Sequence, residues 1–347
     1  MYKKTMKTKF MMMMAAAAMV LAACSNDENE IVNDGPVELQ LSSGVEVQQT
    51  RANTQSTAIL NGEKVYAWAD EVITPPTSST SEHIKAWNLT AGNNNALTGT
   101  SQYFPQSGNS VNIYALHGNF GNTTFTEGTT VFPTSFAHNV ENDQAPGTEN
   151  SMANYAKSDL LYARAMGVDR SGASENVKTQ VLTFYHMLSK VEVALVSGKG
   201  SPNLKDATVT IENTKLKATF TPDKSKDIAD ETNGQLNRAG MIAVPNVDND
   251  AASITIGNST STDFESGTTI NYNEAIIVPQ TISGTDVQFI KVQLKNNAAL
   301  SYKVSNLKLE SGKKYTYNIT VNLTGLEVTS TIEDWDAVTP VNGSAEM

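Results

Sequence analysis

Few side chains in this sequence are equipped for covalent or metal chemistry. There is one cysteine, Cys24, and there are four histidines, His83, His117, His138 and His186. The histidines are scattered, with no second ligand at metal-site spacing. His186 lies inside an apolar run, 180–196, which reads as the setting of a satisfied core histidine. No G-x-S-x-G, H-E-x-x-H or phosphate-loop pattern occurs. Carboxylates are plentiful, but only "IEDWD" (332–336) gathers them densely, around Trp335. A glycosidase would need two carboxyls converging on one bond. The plainer reading of that cluster is a strand end with Trp335 capping the core. Trp68, Trp87 and Trp335 are able to stack on sugars, yet in a β-sandwich such residues more often plug the core. The sequence therefore predicts no catalytic residue, no metal site, no cofactor and no enzyme.

The cysteine has a different use. Lys3, Lys4, Lys7 and Lys9 precede the apolar run "FMMMMAAAAMVLAA", which is too short to favour a bilayer-spanning helix. "LAAC" then ends at Cys24. This resembles a bacterial lipoprotein signal over 1–23, with Cys24 lipidated and becoming the first residue of the exported chain. That chain then holds no free thiol, so it has no disulfide and no thiolate site. Its stability comes from packing. Loss of the four lysines takes the formal charge from −11 to −15. An acidic chain without a Lys/Arg cluster is not built for nucleic acid. The acidic "SNDENE" after Cys24 reads as a solvated tether.

These features need a scaffold, and the rest of the chain supplies strands. In "VELQLSSGVEVQQTRA" (37–52), Val37, Leu39, Leu41, Val45 and Val47 share one parity. That is the period-2 signature of a strand with one buried face. It runs into Arg51, the first basic residue after the signal segment. Beyond residue 52 short alternating runs recur between turn residues: 64–70, 110–118, 206–213, 215–222, 251–258, 274–280 and 287–296. The cleanest is "KKYTYNITVNLTG" (313–325). "DLLYARA" (159–165) reads as a short strand or a turn of helix. The run 215–222 follows 206–213 at hairpin distance. The Pro/Gly/Asn/Thr-rich segments 70–110 and 119–158 read as extended surface loops. Many short strands and no βαβ alternation indicate antiparallel sandwiches, with a domain boundary between 180 and 203.

Five motifs occur in a fixed order: "SDLLYARA" (158–165), "VLTFYHMLSKVEVAL" (181–195), "AIIVPQTI" (275–282), "LESGKKYTYNITV" (309–321) and "GLEVTSTIEDWD" (325–336). Together with the lipoprotein signal and "QTRA" (49–52), they resemble the fimbrillin family of Bacteroidales, the Mfa-like and FimA-like pilus subunits. The resemblance implies an all-β protein of two tandem transthyretin-like Greek-key β-sandwich domains, divided here at 52–188 and 189–347. Residues 24–51 would be a lipidated acidic tether and removable first strand. The chain would be an outer-membrane lipoprotein of the cell surface and fimbrium, anchored through lipid on Cys24. An arginine-specific protease would cut between Arg51 and Ala52.

Removal of 37–47 would leave an unpaired, apolar sheet edge, which a donor strand from another fimbrial subunit would fill by β-augmentation. Head-to-tail contacts of this kind do not close and so give filaments. The donor candidate is the C-terminal segment 326–341, where Leu326, Val328 and Ile332 share parity and Trp335 follows; the alternative is that it is the last strand of the second sandwich. The subunit would be structural or adhesive, with a host or bacterial surface ligand among its partners. The competing reading is a surface lipoprotein that binds glycans without polymerising.

Overall fold

The computed structural model describes residues 35–45, 59–73, 79–144, 154–226, 228, 237–238, 241–245, 252–256, 269–271 and 274–335. Cys24, Val47, Arg51 and Ala52 lie outside the described residues. Strand is the dominant element among the described residues, with almost no helix, and the fold class is all-β. In chain order the first half holds β1 (Glu38–Val45), β2 (Lys64–Ile73), β3 (Ser79–Ala91), β4 (Ala96–Tyr103), β5 (Val111–Gly118), β6 (Phe136–Asn139), β7 (Leu160–Val168) and β8 (Val177–His186). Seven of these close into a hydrogen-bonded ring in the order β1-β4-β3-β2-β5-β7-β8. Most neighbours are antiparallel, but the ring is shut by a parallel pair, β1 against β8.

Two sequence expectations need correcting here. Segment 70–110 contains β3 and β4, so it is not an extended loop. Its Ser, Thr and Asn occupy outward positions, while Ile84, Ala86, Trp87, Leu89 and Ala91 are buried. A composition that resembles a loop is thus a strand with a wet face. Segment 119–158 is loop over most of its described residues, as expected, but it also carries β6 and one short helix, α1 (Asn154–Lys157), and it buries Phe120, Phe125 and Phe132 rather than lying wholly on the surface. The ambiguous 159–165 motif lies almost wholly within strand β7.

The second half continues with β9 (Ser189–Ser197), β10 (Thr208–Thr214), β11 (Lys217–Pro222), β12 (Asn237–Arg238), β13 (Met241–Pro245), β14 (Ala252–Ile256), β15 (Thr269–Asn271) and β16 (Ala275–Ile277). It ends with β17 (Gln280–Ile282), β18 (Val287–Gln293), β19 (Ala299–Val304), β20 (Leu307–Leu309), β21 (Lys313–Asn322) and β22 (Gly325–Asp334). One sheet runs β14-β10-β18-β19 and another β15-β9-β21-β22. Their facing residues, among them Val193, Leu195, Val209, Ile211, Phe289, Tyr317 and Ile319, form one core cluster. That is a sandwich.

The expected 206–222 hairpin does not form. β10 pairs with β14 and β18, whereas β11 pairs with β13 and with β6 of the first half. The chain changes sheets at Lys215, whose backbone N–H donates to Gln280 Oε1 at 2.8 Å while Gln280 Nε2 donates to the Lys215 carbonyl at 3.2 Å. Both backbone groups freed at the corner are thereby satisfied.

Core residues fall into three groups. One fills the ring and draws only on 37–184; one fills the second sandwich and draws on 191–328. The third lies outside the ring and uses both halves: Trp68, Tyr114, Leu116 and Tyr162 pack with Phe136, Phe220, Ile276 and Trp335. The described residues from 36 to 335 belong to one compact unit.

Three of the four histidines, His117, His138 and His186, are buried. His138 is fully buried, its Nε2 donates to the Ser158 carbonyl at 2.9 Å, and its Nδ1 has no hydrogen-bond partner. Burial pushes its imidazole down from 6.5 to about 4, opposed by its bond to Ser158 and the nearby Asp159, and abetted by His117. The folded chain therefore binds this proton less readily than the unfolded chain. Its stability contribution is complete above pH 6.5 and is lost as pH falls from 6.5 toward 4, amounting to about 3 kcal/mol. A His138→Phe chain is expected to lose less stability than wild type between pH 7 and pH 4.5 in urea titrations. Equal losses in the two proteins would refute this.

Candidate functional site: the seat of the first strand

Strand β1 sits between β4 and β8. Leu39, Leu41 and Val45 are 1%, 2% and 6% exposed, and Val37, just ahead of the strand, is buried with them in the ring core. Each such side chain is worth roughly 1.5–3 kcal/mol of transfer free energy when buried. Ser43 shares their parity and is also buried, with its Oγ 3.4 Å from the Asn95 carbonyl. Ser43 carries no apolar signal in the sequence; only its odd position, shared with Leu39, Leu41 and Val45, marks it as inward-facing.

The two sides of the seat differ. Against β8, pairing is continuous from Glu38↔Val177 to Val45↔Phe184. The Glu38 backbone N–H adds a bond to the Asn176 carbonyl at 2.7 Å. Against β4, pairing holds only at the ends: Glu38↔Tyr103 and Leu39↔Gln102, then Leu41↔Leu97 and Ser42↔Ala96. Between them Thr98–Ser101 bulges away from β1. A side chain at Gly99 would bring its Cβ to 2.7 Å from the Asn88 carbonyl, so the hump needs glycine at its closest approach to β3. Trp87 Nε1 donates to the Thr100 carbonyl at 2.8 Å and fixes the hump from below. A half-open cavity of about 460 Å³ lies between the hump and β1, lined by Leu39, Leu41, Trp87, Leu97, Thr98 and Thr179. β1 is thus held by its buried side chains and by one complete ladder, with the second ladder interrupted midway.

The donor candidates lie elsewhere. β22 pairs antiparallel with β21 along its whole length, from Lys313↔Asp334 to Asn322↔Gly325, and forms the edge of its sheet. In this structure 325–334 is therefore the last strand of the second sandwich. Leu326 and Val328 are half-buried against the core, while Ile332 is 45% exposed.

Trp335 is buried beyond the strand end. Its ring stacks on His186 with centroids 4.0 Å apart and planes 8° from parallel, and its backbone N–H donates to the Gly312 carbonyl at 2.6 Å. His186 Nδ1 lies 2.9 Å from Asp159 Oδ2. On the other side Lys190 Nζ lies 5.0 Å from the Trp335 ring centroid. Lys190 is fully buried, 3.5 Å from Glu274 and 3.8 Å from Glu192. Tyr155 donates to Glu274 at 2.6 Å, and Lys314 sits 3.8 Å from Glu192. Burial pushes the Lys190 amine down and the Glu192 carboxyl up, each resisted by its oppositely charged neighbours. This is a buried cluster of two lysines and two glutamates beside the end of β22.

All three tryptophans are buried; Trp68 also spends its indole N–H on the Thr130 carbonyl at 2.9 Å. Among the described residues, no group of three His, Cys, Asp or Glu side chains could hold a metal ion.

The family model described as fimbrillin-like matches residues 50–335. No curated protein matches the chain. Among solved structures, a candidate cell-adhesion protein from Bacteroides uniformis is 18% identical, with a TM-score of 0.54 over 87% of this chain and 98% of that one. Another candidate cell-adhesion protein, from Bacteroides ovatus, is 15% identical, with a TM-score of 0.56 over 88% of this chain and 99% of that one. At these identities the likeness is one of fold.

Proposed function

Because this chain belongs to the fimbrillin-like family and is a fimbrial or adhesive protein of the cell surface, we propose that it is a fimbrial subunit that polymerises by donor-strand exchange. In this reading it is exported as an outer-membrane lipoprotein held by lipid on Cys24. An arginine-specific protease cuts between Arg51 and Ala52, and residues 37–47 leave with the excised piece. The C-terminal segment of a neighbouring subunit takes their place, with Leu326, Val328 and Ile332 as the inserting face. The role is structural rather than catalytic.

The observation that carries this reading is the position of β1. It is a short strand at the start of the described fold, yet its side chains fill the ring core between two other strands. Its departure would bare the ladder of β8 and the apolar floor beneath it, a strong demand for another strand. The glycan-binding alternative is weakened because Trp68, Trp87 and Trp335 are all buried and offer no stacking platform.

Treatment of the purified precursor with an arginine-specific protease is expected to give SDS-resistant ladders and filaments under the electron microscope. An Arg51→Ala precursor is expected to stay monomeric under the same treatment. A cut wild-type chain that remains monomeric would contradict strand exchange. Separately, Cys24→Ala is expected to move the precursor from the membrane fraction to the soluble fraction; an unchanged distribution would rule out anchoring at that residue.

A further inference from the structure

A half-open cavity of about 410 Å³ lies outside the ring, where β2 begins and β5 ends, beside α1. It shares no lining residue with β1, β4 or β8. Its volume is at the small end of the roughly 300–1,000 Å³ usual for small-molecule sites. Its lining combines three kinds of chemistry. Tyr66 and Phe120 form an apolar wall, in edge-to-face contact with ring centroids 5.8 Å apart. Asn119 and Thr123 offer neutral hydrogen-bonding groups. Glu141 brings a carboxylate and Lys157 an ammonium.

The two charges are the informative part. Glu141 and Lys157 are half-buried and line one small cavity, yet they make no ion pair with each other or with any other described residue. Lys157 acts on the nearby Glu63 through its charge alone. Glu141 Oε1 accepts only a long bond from Asn119 Nδ2, at 3.4 Å. The Tyr66 hydroxyl has no hydrogen-bond partner among the described residues. Charged groups held apart in this way suit a guest that both donates and accepts hydrogen bonds.

The walls are fixed before any guest arrives. The Gly121 backbone N–H donates to Asn119 Oδ1 at 3.2 Å, and that of Thr123 to the Phe120 carbonyl at 3.0 Å. Gly121 has a φ of +58°, and a Cβ there would come within 2.7 Å of Asn139 Nδ2, so this turn needs glycine. The Glu141 backbone N–H donates to Ser158 Oγ at 2.9 Å, which ties it to the end of α1. A site built in advance loses little to ordering when it binds.

We infer that this cavity is a subsite for one neutral pyranose ring of a glycan. A pyranose has a face of C–H groups for the Tyr66–Phe120 wall and a rim of vicinal hydroxyls, each both donor and acceptor. One hydroxyl donates to Glu141 while its neighbour accepts from Lys157, and Asn119 and the Tyr66 hydroxyl serve the others. An apolar guest would desolvate both charges without satisfying either. The two charges in the cavity cancel, and the chain as a whole carries −11, which disfavours a sialic or uronic acid. The inference goes beyond strand exchange and does not depend on it, because the cavity is present in the uncut chain. Its aromatic wall comes from Tyr66 and Phe120 rather than from the buried tryptophans.

The test uses the purified full-length chain and five probes: the methyl glycosides of D-glucose, D-galactose, D-mannose and N-acetyl-D-glucosamine, and N-acetylneuraminic acid. Binding is read by saturation-transfer NMR and calorimetry. At least one neutral sugar is expected to bind. Glu141→Ala and Lys157→Ala are each expected to weaken it at least about tenfold, as for loss of a hydrogen bond to a charged group. Both variants are expected to keep the wild-type urea midpoint, and Lys303→Ala, exposed on β19, to bind as wild type does. Binding by none of the four neutral sugars would overturn the inference, and so would neutral-sugar binding that both variants leave intact. Binding of N-acetylneuraminic acid alone would overturn the neutral class. None of these outcomes bears on whether the cut chain polymerises, so the two readings fall separately.

Discussion

Leu41→Ala is expected to destabilise the uncut chain by about 2–5 kcal/mol and to leave the cut chain unchanged. Leu41 is 2% exposed and packs in the ring core, so truncation removes transfer free energy and leaves a cavity. If 37–47 departs on cleavage, the substituted residue departs with it. Urea unfolding of both proteins, before and after cutting, separates the two outcomes. A cut Leu41→Ala chain that is weaker than cut wild type would mean that β1 stays in place after proteolysis.

Lys190→Met is expected to cost about 3–5 kcal/mol, the usual penalty for leaving a buried charge without its partner. Glu274 is 0% exposed and has Lys190 within 3.5 Å. Without Lys190 a fully buried carboxyl loses its cationic neighbour, while the Tyr155 hydroxyl still donates to it. The double substitution Lys190→Met with Glu274→Leu is expected to recover most of the loss, because two apolar side chains then replace an ion pair of similar size. Thermal unfolding of the single and double variants is the measurement. A single variant within about 1 kcal/mol of wild type would mean that the Lys190–Glu274 contact contributes little to stability.

The sequence and the structure agree best where apolar and polar residues alternate along a strand. The alternation in 313–325 gives β21 with Tyr315, Tyr317, Ile319 and Val321 inside, and the odd positions of 37–45 give β1 in the same way. Agreement fails where a strand is covered on both faces or where pairing crosses the chain. The run 180–196 reads as long and largely apolar, and nothing local says that Lys190 and Glu192 will be buried and paired with Glu274 and Lys314. The union of β6 with β11 brings Phe136 against Phe220, and no turn signal announces it, because the partners are distant in the chain. The parallel closure of β1 on β8 is hidden for the same reason. The buried strand of the candidate site was therefore visible, apart from Ser43, while the walls of its seat were not.

The parallel closure also governs timing. The ring is completed by its first and last strands, Glu38–Val45 and Val177–His186. A chain that emerges N-terminus first must hold an apolar strand without its mate until Phe184 is available. Long-range pairing of this kind is slow, and the waiting strand is open to wrong partners. If β1 docks on β8 last, its contacts there contribute least to the folding transition state, and weakening them mainly quickens opening rather than slowing assembly of the ring. Late arrival and early departure then belong to the same eight residues, and the uncut form persists for as long as that last docking step is not reversed.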